Sequence, residues 1–503
     1  MSAARDENDL LLAGELPADP AEECEPFDAK PTSTSRRWPV NANQDASGGQ
    51  EFSRGDHVEL AEVLLQRLGD RDDLVFTEGR THRYEATGGL WRPVPPDEES
   101  RVVQGFAGSP LLGDRDSRGL KIGVQDVNGA RRLAHDQIAD PDFFAAAASG
   151  LAFADGFLEV SAAGIALRPH DPRFRARHAF DFGYACAAPT PLFDQFLGEI
   201  FATDPDRTER KALLGEFFGA ALLGLAPRYQ RCIVLVGRGN DGKSTLLSII
   251  ERCFPPGAVC AIPPQDWGHE YKRALLAGKR LNVVSELPER EILATDAFKA
   301  IITGDTMTAR QIREAPFTVA PIAGHAFATN TLPGVADTSE GFWRRFVVLP
   351  FSQSFAGRED RFIADRIVKA ERAGLVKWMV ESAQRLLSRG SYELPESSRR
   401  EVDRWRLASN PIASFLAECT RPLGPSEPGE AAASLYSRYR AWCERSGHHP
   451  VSNTKFGMRM GDLGTKFVKT ERGKVYLVRY VADGVLTGSF GNPSVNTSGV
   501  SHA

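Results

Sequence analysis

Three observations predict an α/β fold built around a mainly parallel sheet. The apolar run CIVLV at 232–236 leads directly into GRGNDGKST, and the helical pattern LLSIIERCF follows it. Two more short apolar runs, LNVVS and HAFAT, alternate with helical patterns between Arg231 and Arg345. Such alternation is what a parallel sheet covered by helices on both faces requires.

The chain has 503 residues, 42% apolar and 25% charged, which is the composition of a globular protein of about three domains. Its formal charge of -5 excludes a generally basic coat for nucleic acid, so any such contact must come from a local patch. Seven cysteines form no CxxC pair, which argues against a disulfide framework or a zinc ribbon and favours a cytoplasmic setting. No apolar run is long enough to span a membrane, and the amino terminus is acidic where a signal peptide would be basic. Arginine far outnumbers lysine, as GC-rich coding produces.

From the amino terminus, residues 1–53 read as an acidic, disordered tail, with nine acids against two bases in the first thirty positions. The spacing in VELAEVLLQRLG predicts a helix from Val58, and YEATGGLWRPV predicts a hairpin turning at its glycine pair, so 54–150 is expected to be a small, mostly helical region. Two short strands around Gly156 and Gly164 and a helical block through FLGEIF and LLGEFFGAALLG are expected in 151–225. The α/β core is assigned to 226–385 and includes the long helical stretch ADRIVKAERAGLVKWMVESAQRLL. Within 386–485, Pro422 to Gly429 reads as a linker or exposed loop. Ten bases and three acids then fall in 431–480, and two helices followed by two alternating runs suit a winged helix. Residues 486–503 form a Gly, Ser and Asn rich tail.

The chemistry concentrates at G-x-x-x-x-G-K-[ST], here Gly237, Gly239, Asn240, Asp241, Gly242, Lys243, Ser244 and Thr245. Between a strand and a helix this pattern is a P-loop: the glycines let backbone N–H groups wrap an anion, and the helix start adds donors and a positive dipole end. Lys243 would reach the β and γ phosphates of ATP and Ser244 would hold Mg2+. Hydrolysis also needs an acid, and KRLNVVSELPE runs a strand into Glu286, which could hold metal-bound water or orient the attacking water. Asn330 closes HAFATN, where a neutral amide could hydrogen-bond the γ phosphate or the lytic water. Arg344 and Arg345 precede a further apolar strand; one could pair within its own subunit while the other reaches a neighbour's γ phosphate, and a plain surface ion pair is the alternative.

With these residues placed, the chain resembles the superfamily 3 helicases of the phage and plasmid primase-helicase type, related to the poxvirus primase-helicase. GRGNDGKST, AGKRLNVVSE, FKAIITGDTMTAR and FATNTLPGVADTSEGFWRRF carry the likeness, together with the upstream block LAFADGFLEV and FFGAALLGLAPRYQRCIVLV. It is strong over about 151–351 and weaker over 409–480. The resemblance implies an AAA+-like core in an ATP-driven ring, usually a hexamer, that moves 3' to 5' on single-stranded DNA and opens forked duplex. It further implies Lys243 and Ser244 as the nucleotide loop, Glu286 as the Walker B acid, Asn330 as the sensor and Arg344 or Arg345 as the finger. The stretch around Lys299, Gly304, Asp305, Arg310 and Arg313 matches the segment that bears the central pore loop, and its bases suit backbone phosphate contacts, as do Lys455, Lys466 and Lys469 in the basic carboxy-terminal domain. A separate primase or replication initiator is an implied partner.

Three departures stand out. Asp241 replaces the family's usual Asn and would weaken phosphate binding unless its side chain points outward or pairs with Arg238. Ser285 precedes Glu286, so the common two-acid form is missing. The first 150 residues hold no polymerase carboxylate trio or zinc-binding cysteine set. Two other function classes fit parts of the pattern: a small-molecule P-loop phosphotransferase, which would leave the arginine pair and the basic domain unused, and a nucleotide-gated DNA assembly factor that does not unwind.

Overall fold

The computed structural model describes residues 51–481, apart from 113–118, 185–188, 289–294, 313, 336–338, 425, 448–449 and 472. The acidic tail and the terminal Gly/Ser/Asn run therefore lie outside the described residues, except that the tail assignment ran to 53. Phe52 corrects that limit. It is fully buried and bridges Leu111, and the N–H groups of Ser53, Arg54 and Gly55 donate to the Glu59 carboxylate at 2.6–2.8 Å.

The first folded part has the expected helix and hairpin, plus one strand more. Helix α1 (His57–Leu68) starts at Asp56, whose carboxylate accepts from Glu59 N–H. Strands β1 (Leu74–Thr77), β2 (Arg80–Glu85) and β3 (Leu90–Pro93) form an antiparallel sheet that turns at Gly88 and Gly89. Helices α2 (Pro96–Gln104) and α3 (Val124–Gln137) close a core with α1 around Leu60, Leu64, Val103 and Ala130. Next come β4 (Gly150–Phe153), β5 (Gly156–Ser161) and β6 (Gly164–Arg168), three antiparallel strands where two were expected. Gly156 and Gly164 open β5 and β6 with φ of 149° and 155°, so each marks a turn and not the middle of a strand.

Helices α4 (Pro191–Ile200), α5 (Arg207–Leu222) and α6 (Ala226–Tyr229) then lead into the central sheet. In chain order the elements are β7 (Cys232–Gly237), α7 (Lys243–Arg252), β8 (Val259–Cys260), α8 (Glu270–Ala274), β9 (Leu281–Val284), α9 (Thr295–Thr303), the hairpin β10 (Met307–Arg310) with β11 (Pro316–Val319), β12 (Gly324–Thr329), α10 (Glu340–Trp343) and β13 (Phe346–Phe351). Five of these strands form a parallel sheet in the order β13-β7-β12-β9-β8. The strands' residues alternate between two cores. Ile233, Leu235, Val283, Ala328 and Leu349 face α5, α7 and the long helix α11 (Ile363–Arg389), while Val234, Val284, Phe327 and Val348 face Trp267, Phe298 and Trp343.

Helix α12 (Glu396–Ala408) sends Trp405 into that second core against Phe346 and Trp343, and the indole N–H donates to Pro333 O at 2.8 Å. This corrects the boundary drawn at 386: the core runs to about residue 409. The remainder has its own core. Helix α13 (Pro411–Cys419), strand β14 (Thr420–Pro422), strand β15 (Glu430–Ala431), helices α14 (Ala432–Ser446) and α15 (Asn453–Asp462), the hairpin β16 (Phe467–Thr470) with β17 (Gly473–Tyr476), and β18 (Val478–Tyr480) enclose Ile412, Phe415, Tyr439, Trp442 and Phe456. The proline-rich stretch from Pro422 to Gly429 is thus a loop inside this domain, held by Glu427, which pairs with Arg421 and accepts from Gly424 N–H. Among the described residues no helix is long and apolar enough to cross a membrane.

Replacing Trp405 with Ala is expected to cost the central core about 3–5 kcal/mol, the range for removing a buried aromatic. A fall in the main thermal transition reads this out, with the transition of the isolated 410–481 segment as a reference; an unshifted main transition would detach α12 from the core.

Candidate functional site

Strand β7 ends at Gly237 and α7 begins at Lys243, so the turn between them sits at the carboxyl edge of the sheet, where open parallel sheets bind ligands. The turn needs unusual backbone: Gly239 and Gly242 have φ of 102° and 90°, and Asn240 has φ of 49°. At Gly242 a side chain is also barred by space, since a Cβ would approach Ile200 Cγ2 to 2.8 Å.

Lys243 is buried at 4% exposure. Its Nζ donates to Asp241 Oδ2 at 2.5 Å, Gly237 O at 3.1 Å and Asn330 Oδ1 at 3.5 Å. Asp241 therefore neither points outward nor pairs with Arg238, the two escapes expected from sequence; it lies inside the loop at 3% exposure and pairs with the lysine.

The parallel register brings the other candidates to the same edge. Thr329 pairs with Val236, so Asn330 emerges level with Gly237 on the neighbouring strand. Val284 pairs with Phe327, which sets Glu286 level with Thr329 one strand further out. Gly239 through Thr245, Ser285, Glu286, Thr329 and Asn330 all line one cavity of about 540 Å³. Ser244 and Glu286 are both exposed toward solvent. Among the described residues no cluster of three His, Cys, Asp or Glu could hold a metal by itself. Mg2+ is commonly bound by one or two protein oxygens plus substrate phosphates, and Ser244 and Glu286 are among the side-chain oxygens that line the cavity.

Arg344 and Arg345 are elsewhere. Phe346 pairs with Cys232 and Phe351 with Gly237, so both arginines stand at the amino edge of the sheet, roughly 20 Å of strand away from the glycine loop. Among the described residues that line the cavity neither arginine appears. Arg345 is buried at 7% exposure and donates to Gly341 O, while Arg344 is exposed and donates to Gln230 Oε1 at 3.2 Å.

Sequence reasoning missed a second wall of the cavity. Gln195, Phe196 and Glu199 of α4 line it, as do Phe355, Arg358 and Arg366 from the segment after β13. That segment is tied to the loop by Phe355 N–H donating to Asn240 O at 2.7 Å. The signal was present in the order of the strands: if FVVLPF lies parallel to CIVLV, whatever follows Phe351 must emerge beside Gly237.

Of the nucleic-acid candidates, Lys299 is half-buried on α9 and Arg310 ends β10, where it hydrogen-bonds Glu314 O at 3.1 Å and faces Glu270 at 3.9 Å. Arg313 lies outside the described residues. Lys455, Lys466 and Lys469 are exposed on α15 and the β16–β17 hairpin. The β10–β11 hairpin also meets the first domain, because Arg80 donates to Gln311 Oε1 at 2.9 Å and Gly79 lies against Phe317.

Comparison with known families gives matches to three separate stretches of the chain. A D5 N terminal like family matches residues 123–202, a family of unknown function, DUF5906, matches 235–345, and a poxvirus D5 protein-like family matches 407–478. In these three stretches the chain is similar to proteins of the superfamily-3-like phage and plasmid primase-helicase type, related to poxvirus D5. Two viral proteins provisionally named helicases are similar to this chain. One, from Acanthamoeba polyphaga mimivirus, is 27% identical over 172 residues, 32% of this chain and 18% of the relative. The other, from Invertebrate iridescent virus 6, is 30% identical over 135 residues, 24% of this chain and 14% of the relative. The chain thus spans less than a fifth of the length of these curated relatives. Among solved structures, the apo A form of the NrS-1 C terminal region aligns with 85% of this chain and 99% of its own at 11% identity and a TM-score of 0.41.

A Gly242→Ala substitution should strain the loop by about 1–3 kcal/mol, the usual cost of a non-glycine residue at such a backbone angle. Lower thermal stability and weaker nucleotide retention are the readouts, and wild-type values for both would show that the loop does not need this conformation.

Proposed function

We propose that the chain is an ATP-driven DNA helicase motor that works as a ring, with its nucleotide site completed by the next subunit. The observation that carries this reading is the split of one sheet into two functional edges. Lys243, Asn330 and Glu286 gather at the carboxyl edge, and the exposed Arg344 stands at the other, out of reach of its own cavity. A guanidinium so placed serves a phosphate only if a second copy presents its loop edge, which is the arrangement of an arginine finger supplied in trans. A small-molecule phosphotransferase has no use for that geometry.

In this reading β7, the glycine loop and α7 form a P-loop. Bound ATP with Mg2+ would supply the transferable phosphoryl group and a cation that neutralises it. Lys243 binds the terminal phosphates, Ser244 and Glu286 hold the metal side, and Glu286 and Asn330 orient the attacking water. The α4 face and the Phe355 segment exclude bulk water from the same cavity, which strengthens each of these contacts. Buried Arg345 braces the start of β13 while Arg344 is the finger.

DNA contact is assigned to two regions. Arg310 and the tip of the β10–β11 hairpin touch backbone phosphates in the ring's channel, with Lys299 behind them. The order α13, β15, α14, α15, β16–β17 supports a winged helix for the carboxy-terminal domain, and Lys455, Lys466 and Lys469 give it an exposed phosphate-binding face. The D5-type relationship supports a place in the replication of a phage, plasmid or similar element in a host cytoplasm, with a primase as a partner.

Strand separation of a tailed duplex, followed with ATP, tests the motor. Lys243→Ala is expected to lose at least about 10²-fold in turnover, consistent with loss of an electrostatic group at a phosphoryl-transfer centre, while circular dichroism shows the native fold with a lower melting temperature, because Asp241 loses its buried partner. Mixing Arg344→Ala subunits with wild type should depress the whole assembly's turnover; ATP turnover with DNA but no strand separation would select the assembly-factor reading instead.

Changing Lys466 and Lys469 together to Ala should reduce the slope of log affinity against log salt by about 1–2, if each neutralises one phosphate. An unchanged slope would remove that hairpin from the DNA interface.

A further inference from the structure

The glycine loop already holds a negative charge of its own. Three donors that a phosphate would use converge on the Asp241 carboxylate: Lys243 Nζ at 2.5 Å to Oδ2, Gly239 N–H at 3.4 Å to Oδ2, and Lys243 N–H at 3.4 Å to Oδ1. The neighbouring backbone makes room for it, since a Cβ on Gly237 would lie 2.1 Å from Asp241 Oδ2. Both members of the pair are buried, with side-chain exposures of 5% and 4%. A loop of this kind can satisfy its inward N–H groups and its ammonium either with an internal carboxylate or with an external anion, and not with both at once. Drawing Lys243 away leaves a buried carboxylate unpaired, which is a strongly unfavourable state. It also leaves that carboxylate beside the incoming phosphates.

We infer that Asp241 is an internal competitor of the nucleotide, occupying the ligands of a phosphate in the empty loop so that a polyphosphate binds only by displacing it. The inference rests on the nucleotide-site reading above and adds a determinant of affinity to it. Its ligand class is the polyphosphate: a single phosphate group offers too few contacts to replace both the ion pair and the two N–H interactions, whereas a di- or triphosphate gains further ones along the loop and at the start of α7. The exposed Arg238 is the loop's other cation and gives the released carboxylate a countercharge outside the anion cradle.

Binding of a fluorescent ADP analogue to the full chain tests the displacement. Asp241→Asn and Asp241→Ser both keep a polar side chain without the charge, and each is expected to tighten binding by about tenfold or more. Each should also lower the melting temperature without nucleotide, because Lys243 loses its buried partner. Binding in the two variants equal to or weaker than wild type would overturn the inference while leaving the nucleotide site intact. Failure of wild type and both variants to retain any nucleotide would instead remove the site itself, and the competitor with it.

Discussion

Strand β7 has a parallel partner on each side, β12 and β13, and this shared direction governs the rest of the molecule. In an antiparallel sheet the strand ends would alternate, and the residues after β7, β9, β12 and β13 would be divided between two rims. Here all four chain segments leave by one rim, where Lys243, Glu286, Asn330 and Phe355 meet, and all four strands are entered from the other, where Arg280, Arg344 and Arg345 stand. Burial on both faces keeps the sheet in that register: a slip of one residue would exchange the side chains of two different apolar cores.

The helical block before the sheet is fastened to this rim by charge as well as by packing. Arg210 is buried at 2% exposure and donates to Asp204, Asp206 and the Pro350 carbonyl at 2.7–2.8 Å. Glu371 of α11 accepts from the Leu192 and Phe193 N–H groups at 2.7 and 2.9 Å, which caps the first turn of α4 with a carboxylate. Through these contacts the last residues of β13, the glycine loop and α4 are positioned together, so the cavity wall built by Phe196 and Glu199 is as well supported as the loop itself. Glu286, the carboxylate that follows β9, is exposed and lines the cavity, and Ser285 before it is neutral.

Much of this was legible in the sequence because the relevant patterns are local. A strand, five loop residues and an amphipathic helix mark the candidate anion site without any long-range knowledge, and the apolar runs ending at Glu286 and Asn330 locate the flanking strands. The glycine pair at 88–89 marked its hairpin for the same reason. What sequence left open depends on contacts between distant segments. That Trp405 belongs to the sheet's core, that Arg358 and Arg366 share the cavity with Lys243, and that Asp241 turns inward are outcomes of packing across many residues. The pairing of Asp241 was especially hard to foresee because its partner choice is set by backbone dihedrals in a loop, where Asn240 at positive φ directs the next side chain into the cradle.

The centrality of β7 also has a cost for how the chain is made. The strand is synthesised well before both of its neighbours, since β12 and β13 come about 90 and 110 residues later, and a core that includes Trp405 cannot close until α12 has left the ribosome. During that interval an apolar strand and the Trp267 side chain are without their final coverings, while the small domain around α1–α3 is already complete. Pairings at such sequence separation are slow to find, so the nascent helicase-like core is the stage at which chaperones, temperature and expression rate should decide how much active protein is obtained.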